Sequence, residues 1–167
     1  MRKIATIGYE GASPEAFDAT LRAAGVELLV DVRAVAVSRR RGFSKTALSE
    51  RTREGGCEYI HLRDLGDPKA GREAARAGQH ELFCQIFGAH METGPATAAL
   101  SELERLARRS AVALLCYEAD AAFCHRSIVA THVARAANLA IVHLRVDEAL
   151  GGRSRADDRL GESVAAG

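Results

Sequence analysis

Short apolar runs alternate with amphipathic segments along most of the chain. The runs have few or no polar interruptions, which is typical of strands that are covered on both faces of a parallel sheet. They lie at 4–8, 28–32, 58–62, 112–116 and 141–144. The alternation predicts an α/β fold, in which a mainly parallel sheet of about five strands is flanked by helices in a Rossmann-like three-layer arrangement.

Signals for helix ends support this alternation. Ser13 is a good N-cap residue, Pro14 suits the first helical position, and Gly25 suits the end of the same helix. Ser44 is predicted to cap a second helix that runs through about Glu54 and ends at the glycine pair at 55 and 56. Further helices are predicted over much of 69–92, over 96–109 after Gly94 and Pro95, and over about 125–137.

The size and composition fit one globular domain. The chain has 167 residues, of which 47% are hydrophobic and 27% are charged. We expect a single domain over residues 1–150 and a flexible C-terminal tail over 151–167, where apolar residues become scarce. The formal net charge is +1, so any site for a polyanion must be a local patch.

The N-terminal sequence, the cysteines and the absence of nucleotide-binding motifs predict the location of the protein and its cofactors. The N-terminus becomes polar too early for a secretory signal, and no apolar run approaches the roughly 20 residues that span a bilayer, so a cytoplasmic protein without a membrane partner is expected. Cytosolic cysteines usually stay reduced, so Cys57, Cys84, Cys116 and Cys124 are interpreted as free thiols, metal ligands or buried apolar residues. Neither a dinucleotide fingerprint nor a P-loop is present, and no cofactor is predicted.

Polar residues follow the apolar runs and predict one site. Because all strands of a parallel sheet end at the same edge, residues just beyond each run converge there. The residues so placed are Tyr9, Glu10, Asp31, Arg33, His61, Arg63, Cys116, Tyr117, Glu118 and His143, together with Cys124, His125 and Arg126 at a helix start.

Cys124 is the leading candidate for chemistry. A thiol at a helix N-terminus beside a guanidinium is favoured as the thiolate and becomes a nucleophile, although most free cysteines are inert packing residues. His125 is placed to position or protonate a substrate. Asp31, which stands alone in an apolar run, is either a general base or the partner of an arginine such as Arg33.

A basic loop after the second strand predicts anion binding. Ser38, Arg39, Arg40 and Arg41 precede a glycine and Phe43, which offers a ring for stacking on a base. With Arg33 and Arg126 they could form a site for phosphate or carboxylate, while a solvated charged loop is the ordinary alternative.

Zinc binding is a further alternative. Cys116, Cys124 and His125, with Glu118, are suitable ligand types, but seven residues separate the two cysteines and the close pairing typical of zinc sites is missing. No metal is therefore assigned.

Several segments in this order resemble one domain family. They are TIGYEG at 6–11, LLVDVRAVAVSRRRGFSK at 28–45, EYIHLRDLGDP at 58–68, ALLCYEADAAFCHRSIVA at 113–130 and IVHL at 141–144. The chain resembles the DUF488 family, whose activity is unsettled, along nearly its whole length apart from the tail. The resemblance implies a compact α/β domain with a site built from Gly8, Tyr9, Glu10, Asp31, Arg33, Ser38, Arg39, Phe43, Cys116, Glu118, Cys124, His125 and Arg126.

Three functional hypotheses follow. The first is an enzyme that acts on a phosphate-bearing or other anionic ligand, a nucleotide or nucleic acid included, with Cys116, Cys124, His125, Asp31 and Glu118 as catalytic residues. The second is a non-catalytic module for nucleic acid or nucleotides, and the third is a metal-dependent hydrolase with Cys, His and Glu ligands. The predicted ligand-binding residues are Gly8, Tyr9, Glu10, Arg33, Ser38, Arg39, Arg40, Phe43 and Arg126.

Overall fold

A computed structural model of the chain describes residues 1–152. The strands are β1 (Lys3–Gly8), β2 (Leu28–Asp31), β3 (Glu58–His61), β4 (Val112–Cys116) and β5 (Ala140–Leu144). The helices are α1 (Pro14–Ala23), α2 (Lys45–Glu54), α3 (Lys69–Arg76), α4 (His80–Met91), α5 (Gly94–Ala107) and α6 (His125–Ala137). Nearly all of the predicted tail, from residue 153 on, lies outside the described residues. Within 1–152, no helix combines the length and the apolar character needed to cross a membrane.

The five strands form one parallel sheet in the order β3-β2-β4-β1-β5. The predicted α/β fold is therefore confirmed. The connection from β1 to β2 carries α1 on one face of the sheet, and the connection from β4 to β5 carries α6 on the other face, so the chain leaves these two neighbouring strands on opposite faces. In open parallel sheets, the crevice beyond the carboxyl ends of such a strand pair is the usual ligand site.

Side chains alternate between the two faces of the sheet, and each face has its own core. On one face, Val30 and Leu114 pack in a cluster with residues of α3 to α6, among them Phe87. On the other face, Leu29 and Leu115 pack with residues of α1 and α2. Because successive residues of a strand point to opposite faces, the side chain of β2's last residue points towards α1 and α2, whereas that of β4's last residue points towards α6.

The helix boundaries follow local chemistry, with two differences from the sequence prediction. Ser13 caps α1 as predicted, because its Oγ accepts a hydrogen bond from the Ala16 amide at 3.2 Å. Ser44 precedes α2 but does not cap it, since its Oγ instead accepts from the Ser38 amide at 2.9 Å. The segment 69–92 is two helices, separated where Gly78 adopts a φ of +72°, a conformation that glycine allows at little cost.

The loop between β4 and α6 packs directly on the end of β1. The Glu10 amide donates to the Tyr117 carbonyl at 2.8 Å, and a Cβ atom at Gly8 would lie only 1.7 Å from the Glu118 carbonyl oxygen. Only glycine therefore fits at position 8. This close approach holds the backbone of residues 117–119 beside the carboxyl end of β1.

We expect Gly8→Ala and Gly88→Ala to change stability in opposite directions. The added methyl group at position 8 collides with backbone, which costs about 3 kcal/mol or more. Gly88 lies within α4 with open space around its Cβ position, so alanine there adds about 1 kcal/mol through helix propensity. Urea unfolding of both variants measures the difference. An unchanged midpoint for Gly8→Ala would show that the loop does not approach β1 as described.

Candidate functional site

Four chemically active side chains meet where β4 ends and α6 begins. The Cys116 thiol donates to Glu118 Oε2 at 3.1 Å, and its Sγ lies 3.7 Å from His125 Nδ1. Cys124 Sγ lies 3.9 Å from the same nitrogen. The two sulfurs and Nδ1 all lie within 4.8 Å of one another. We call Cys116, Glu118, Cys124 and His125 the thiol cluster.

The His125 ring has a fixed orientation. Its Nε2 lies 2.7 Å from the Val32 carbonyl oxygen, so Nε2 carries a proton and donates it there. The ring of Phe87 packs edge-on against it, with centroids 5.3 Å apart. Nδ1 is thereby directed towards both sulfurs.

Burial sets the protonation of the thiol cluster. Burial and the neighbouring Cys116 raise the pKa of the Cys124 thiol well above its usual value, and the nearby imidazole does not offset this effect. Burial also works against charge on Glu118, but hydrogen bonds from its own backbone and from both thiols leave its pKa below the usual value. For His125, the hydrogen bonds to Cys124 and to the Val32 carbonyl outweigh burial and raise the pKa. The resting cluster therefore holds a protonated Cys124 thiol beside a carboxylate.

Asp31 and Arg33 form a buried ion pair on the opposite face of the sheet. Two hydrogen bonds join the guanidinium to the carboxylate, at 2.9 Å from Nε and 2.7 Å from Nη2, and Tyr59 donates its hydroxyl proton to Asp31 Oδ2 at 2.5 Å. Arg33 Nη1 also donates to the Phe43 carbonyl at 2.7 Å and to the Tyr9 hydroxyl at 3.1 Å. Both charges are thus fully engaged within the protein, and Arg33 anchors the loop that contains Phe43.

Arg126 holds the loop between β4 and α6. It is fully buried, and its guanidinium donates to the Glu118 carbonyl at 2.5 Å and to the Ala119 carbonyl at 3.2 Å. Among residues 1–152, its Nε has no hydrogen-bond partner. The side chain that the sequence places in an anion site is, in this conformation, directed at backbone carbonyls.

The basic loop, residues 34–44, presents its charges to solvent at the same edge of the sheet. Arg39 and Arg41 are exposed, and Arg40 donates to the Ala12 carbonyl at 2.6 Å. Ser38 accepts from the Arg40 amide at 3.1 Å and shapes the turn. The loop also exposes apolar surface, with Val37 at 76%.

An aromatic stack links the basic loop to β4. The Phe43 ring is fully buried and lies parallel to the Tyr9 ring with centroids 4.5 Å apart. Tyr117 packs edge-on against Tyr9 at 5.3 Å and is 43% exposed. The ring available to a ligand is therefore that of Tyr117, which rests against Tyr9, and Phe43 in turn stacks on Tyr9.

A cavity of about 340 Å³ lies beside the end of β1. Gly8, Glu10, Ala119, Asp120, Arg145 and Glu148 are among its lining residues. Glu10 accepts a hydrogen bond from the Ala119 amide at 3.0 Å, and Glu148 accepts from the amide and hydroxyl of Ser13 at 2.9 Å each. Three carboxylates and one guanidinium line this space, so its charge does not favour an anion.

Asp67 is a neighbour of the thiol cluster that the sequence analysis did not select. It follows β3, is 6% exposed, and its Oδ1 has no partner among the described residues. A Cβ atom at Gly71 would lie 2.0 Å from that oxygen, so glycine leaves room for it. Burial raises the pKa of the Asp67 carboxyl against the opposing charges of His125 and Arg72. The signal in the sequence was a carboxylate in the loop after the third predicted strand, within the LGDP stretch.

The predicted site residues thus occupy one edge of the sheet but several environments. The thiol cluster contacts α4 and α6, the ion pair and the aromatic stack lie on the face of α1 and α2, and Gly8 and Glu10 border the cavity. His61 Nε2 donates to the Arg33 carbonyl at 2.7 Å, and His143 Nδ1 lies 2.8 Å from the Thr6 hydroxyl. Their catalytic and binding roles remain predictions.

We expect Asp67→Asn to gain stability relative to the unchanged protein as the pH rises. The pKa of Asp67 is raised in the folded state, so its protonation stabilises the fold at low pH. That contribution is lost as the pH rises through the folded-state pKa, whereas asparagine does not titrate. Urea unfolding of both proteins between pH 4 and pH 8, about the range in which a raised carboxyl titrates, measures the difference. A difference independent of pH would contradict the assigned burial of this carboxyl.

Comparison with known proteins identifies a family. No curated protein and no solved structure matches the chain. One family model, described as domain of unknown function DUF488, matches residues 13–133, which is more than half of the chain. The matched range includes the thiol cluster, the Asp31–Arg33 ion pair and the basic loop, and it confirms the resemblance noted from the sequence segments. The chain therefore belongs to the DUF488 family.

Proposed function

We propose that this protein is an enzyme acting on a phosphate-bearing or other anionic ligand, a nucleotide or a nucleic acid segment included, at the carboxyl edge of its sheet. The observation that supports catalysis is the contact among two thiols, an imidazole and a carboxylate in the thiol cluster. Binding of an anion would use arginines and would leave these four groups without a role. A reaction uses them.

The roles follow from the protonation states. Glu118, whose lowered pKa keeps it ionised, accepts the hydrogen bond of the Cys116 thiol, and His125, whose pKa is raised, reaches both sulfurs through Nδ1 as the stronger base. Deprotonation of a thiol by a positioned base produces the nucleophile at the moment that a ligand binds. In this proposal Asp31 acts indirectly, because its carboxylate positions Arg33 and hence the loop that carries Phe43.

The basic loop supports the choice of an anionic ligand. Arg39 and Arg41 are exposed in the loop that follows β2. Tyr117 is also exposed, and it lies between Cys116 and Glu118 of the thiol cluster in the sequence. The loop and the ring together suit a ligand that carries both phosphate and a planar base.

We expect the protein to consume at least one component of an anion-exchange-enriched metabolite extract, as followed by liquid chromatography and mass spectrometry. Glu118→Gln keeps the shape of the side chain and removes its basicity, so the rate of consumption should fall by about 10²-fold to 10⁴-fold. Cys116→Ser should lose consumption to a similar degree if the thiol reacts.

Matched controls lie on α4. Glu81→Gln and Cys84→Ser make the same chemical changes at exposed positions and should retain the full rate. Circular dichroism verifies that each variant is folded. Consumption of no component, or equal rates for the cluster variants and the α4 variants, would rule out catalysis by the thiol cluster.

The second candidate function is a binding module for single-stranded nucleic acid. The exposed arginines of the basic loop and the exposed Tyr117 ring favour it, because such modules combine phosphate contacts with aromatic stacking. The thiol cluster would then have no part in the function.

We expect fluorescence anisotropy with a labelled 12-nucleotide single-stranded RNA to show affinity that falls as salt is raised. Removing two phosphate contacts with Arg39→Gln/Arg41→Gln should reduce the slope of log K against log salt by about 1.4, since each contact on a single strand contributes about 0.7. Arg105→Gln/Arg109→Gln removes the same charge near the C-terminal end of α5 and should leave the slope unchanged. Affinity that ignores salt, or equal losses in the two double variants, would argue against this surface.

A further inference from the structure

We propose that the thiol cluster is a binding site for Zn²⁺, with Cys116 Sγ, Cys124 Sγ and His125 Nδ1 as ligands and the Glu118 carboxylate as the fourth. This inference goes beyond the proposed function, because a resident zinc ion does not require that the protein be an enzyme. It also does not depend on the basic loop.

The spacing of the ligand atoms matches a tetrahedral centre. With Zn–S bonds of about 2.3 Å and Zn–N bonds of about 2.0 Å, tetrahedral geometry requires S···N separations of roughly 3.5 Å and S···S separations of roughly 3.8 Å. The two S···N distances are 3.7 Å and 3.9 Å, and all three atoms lie within 4.8 Å of one another. Coordination requires the S···N separations to shorten by a few tenths of an ångström and the S···S separation, which is at most 4.8 Å, to shorten by up to about 1 Å.

The histidine is oriented as metal-bound histidines are. Metal-ligating imidazoles characteristically donate their other ring N–H to a carbonyl or carboxylate, which fixes the tautomer and leaves the first nitrogen as the ligand. His125 Nε2 makes this bond to the Val32 carbonyl at 2.7 Å, and Phe87 holds the ring in place. No rotation of the ring is needed.

Glu118 lies beside Cys116 but outside the set of three mutually close ligand atoms, so its side chain must move towards them to become the fourth ligand. Its Oε2 is 3.1 Å from Cys116 Sγ, and the residue is only half-buried, whereas the other three ligands are 4% to 6% exposed. Zinc sites with three protein ligands and an exchangeable fourth are those in which chemistry occurs, whereas four firmly held ligands make a structural site. The fourth ligand therefore faces the side from which a substrate or water could displace it.

The charges in the surroundings balance such a centre. Two thiolates and one carboxylate on Zn²⁺ leave a net charge of about −1, which burial alone would disfavour. Arg126 is fully buried and donates to the backbone carbonyl of Glu118 itself. Its guanidinium supplies the opposite charge next to the centre.

The ligand types select the ion. Thiolate with imidazole in a tetrahedral arrangement suits Zn²⁺, whereas Mg²⁺, Ca²⁺ and Mn²⁺ prefer oxygen ligands. Among the described residues, Cys116, Cys124 and His125 are the group of potential ligands that lie close enough together to hold an ion. The sequence analysis did not assign a metal, because the two cysteines are not closely paired along the chain and come together only through the turn of residues 117–123.

The test is a titration of the full-length, chelator-treated protein with Co²⁺ in the presence of a phosphine reductant. We expect saturation at one equivalent, with the thiolate-to-cobalt charge-transfer absorption and the visible bands of tetrahedral cobalt, and displacement of the cobalt by Zn²⁺. Cys116→Ser and Cys124→Ser should each weaken binding by more than about 100-fold, since losses at residues that only support metal ligands already reach that size. Glu118→Gln should weaken binding while keeping the charge-transfer absorption.

The control distinguishes this site from a chance pair of ligands on the surface. Cys84 Sγ lies 3.7 Å from His80 Nε2 on the exposed side of α4, and Cys84→Ser should leave the titration unchanged. Absence of the absorption in the unchanged protein, or its loss in Cys84→Ser with retention in the cluster variants, would overturn the proposal.

A measurement on the unchanged protein guards against variants that fail to fold. Binding of Zn²⁺ to two protonated thiols should release close to two protons per ion, which a weakly buffered solution reports directly. Release of none would overturn the proposal. Zinc binding without consumption of any metabolite would instead contradict the proposed enzyme function and leave the metal site intact, so the two proposals fail separately.

Discussion

The alternation of side chains along the parallel strands is the constraint on which the rest of the structure depends. Because neighbouring residues of a strand point to opposite faces, the last side chains of β2 and β4 contact different partners, although the two strands end side by side. Asp31 faces Tyr59 and Arg33 on the side of α1 and α2, and Cys116 faces Cys124 and His125 on the side of α6. A hydrogen bond from the His125 ring to the Val32 backbone carbonyl links the thiol cluster to the end of β2. The edge therefore carries a polar network on each face instead of one shared pocket.

The two networks differ in what they can do. In the Asp31–Arg33 pair every strong hydrogen-bonding group is already satisfied, and breaking one partner of a buried pair leaves a costly unpaired charge, so this network is suited to holding the basic loop in place. The thiols and the imidazole Nδ1 of the thiol cluster, by contrast, have only weak partners. Their contacts involve sulfur, which is a weak hydrogen-bond donor and acceptor. The imidazole Nδ1 is directed at two sulfurs, and the hydrogen bonds that it can form with them as thiols are weak. A cation or a reaction would give these groups stronger partners.

The sequence was informative where local chemistry decides the structure. The apolar runs correspond to the five strands, and Ser13 with Pro14 marks the start of α1. The strand order could not be predicted, because it depends on which surfaces pack together and not on the residues of any one strand. Ser44 shows the limit of local rules, since a tertiary contact with Ser38 takes the hydroxyl that would have capped α2. In the site, the convergence of residues that follow the strands at one edge could be predicted from the parallel topology. The burial of Arg126 and the proximity of Asp67 to His125 could not, because they depend on the conformations of loops that have no periodic sequence pattern.

The aromatic residues have a spectroscopic consequence. The chain contains three tyrosines and no tryptophan. Tyr59 bonds to Asp31, Tyr9 stacks on Phe43, and Tyr117 packs against Tyr9, so all three belong to one connected network beside the basic loop. The intrinsic ultraviolet emission of the folded protein accordingly originates from this network alone, and it reports without any label on events at a single edge of the molecule.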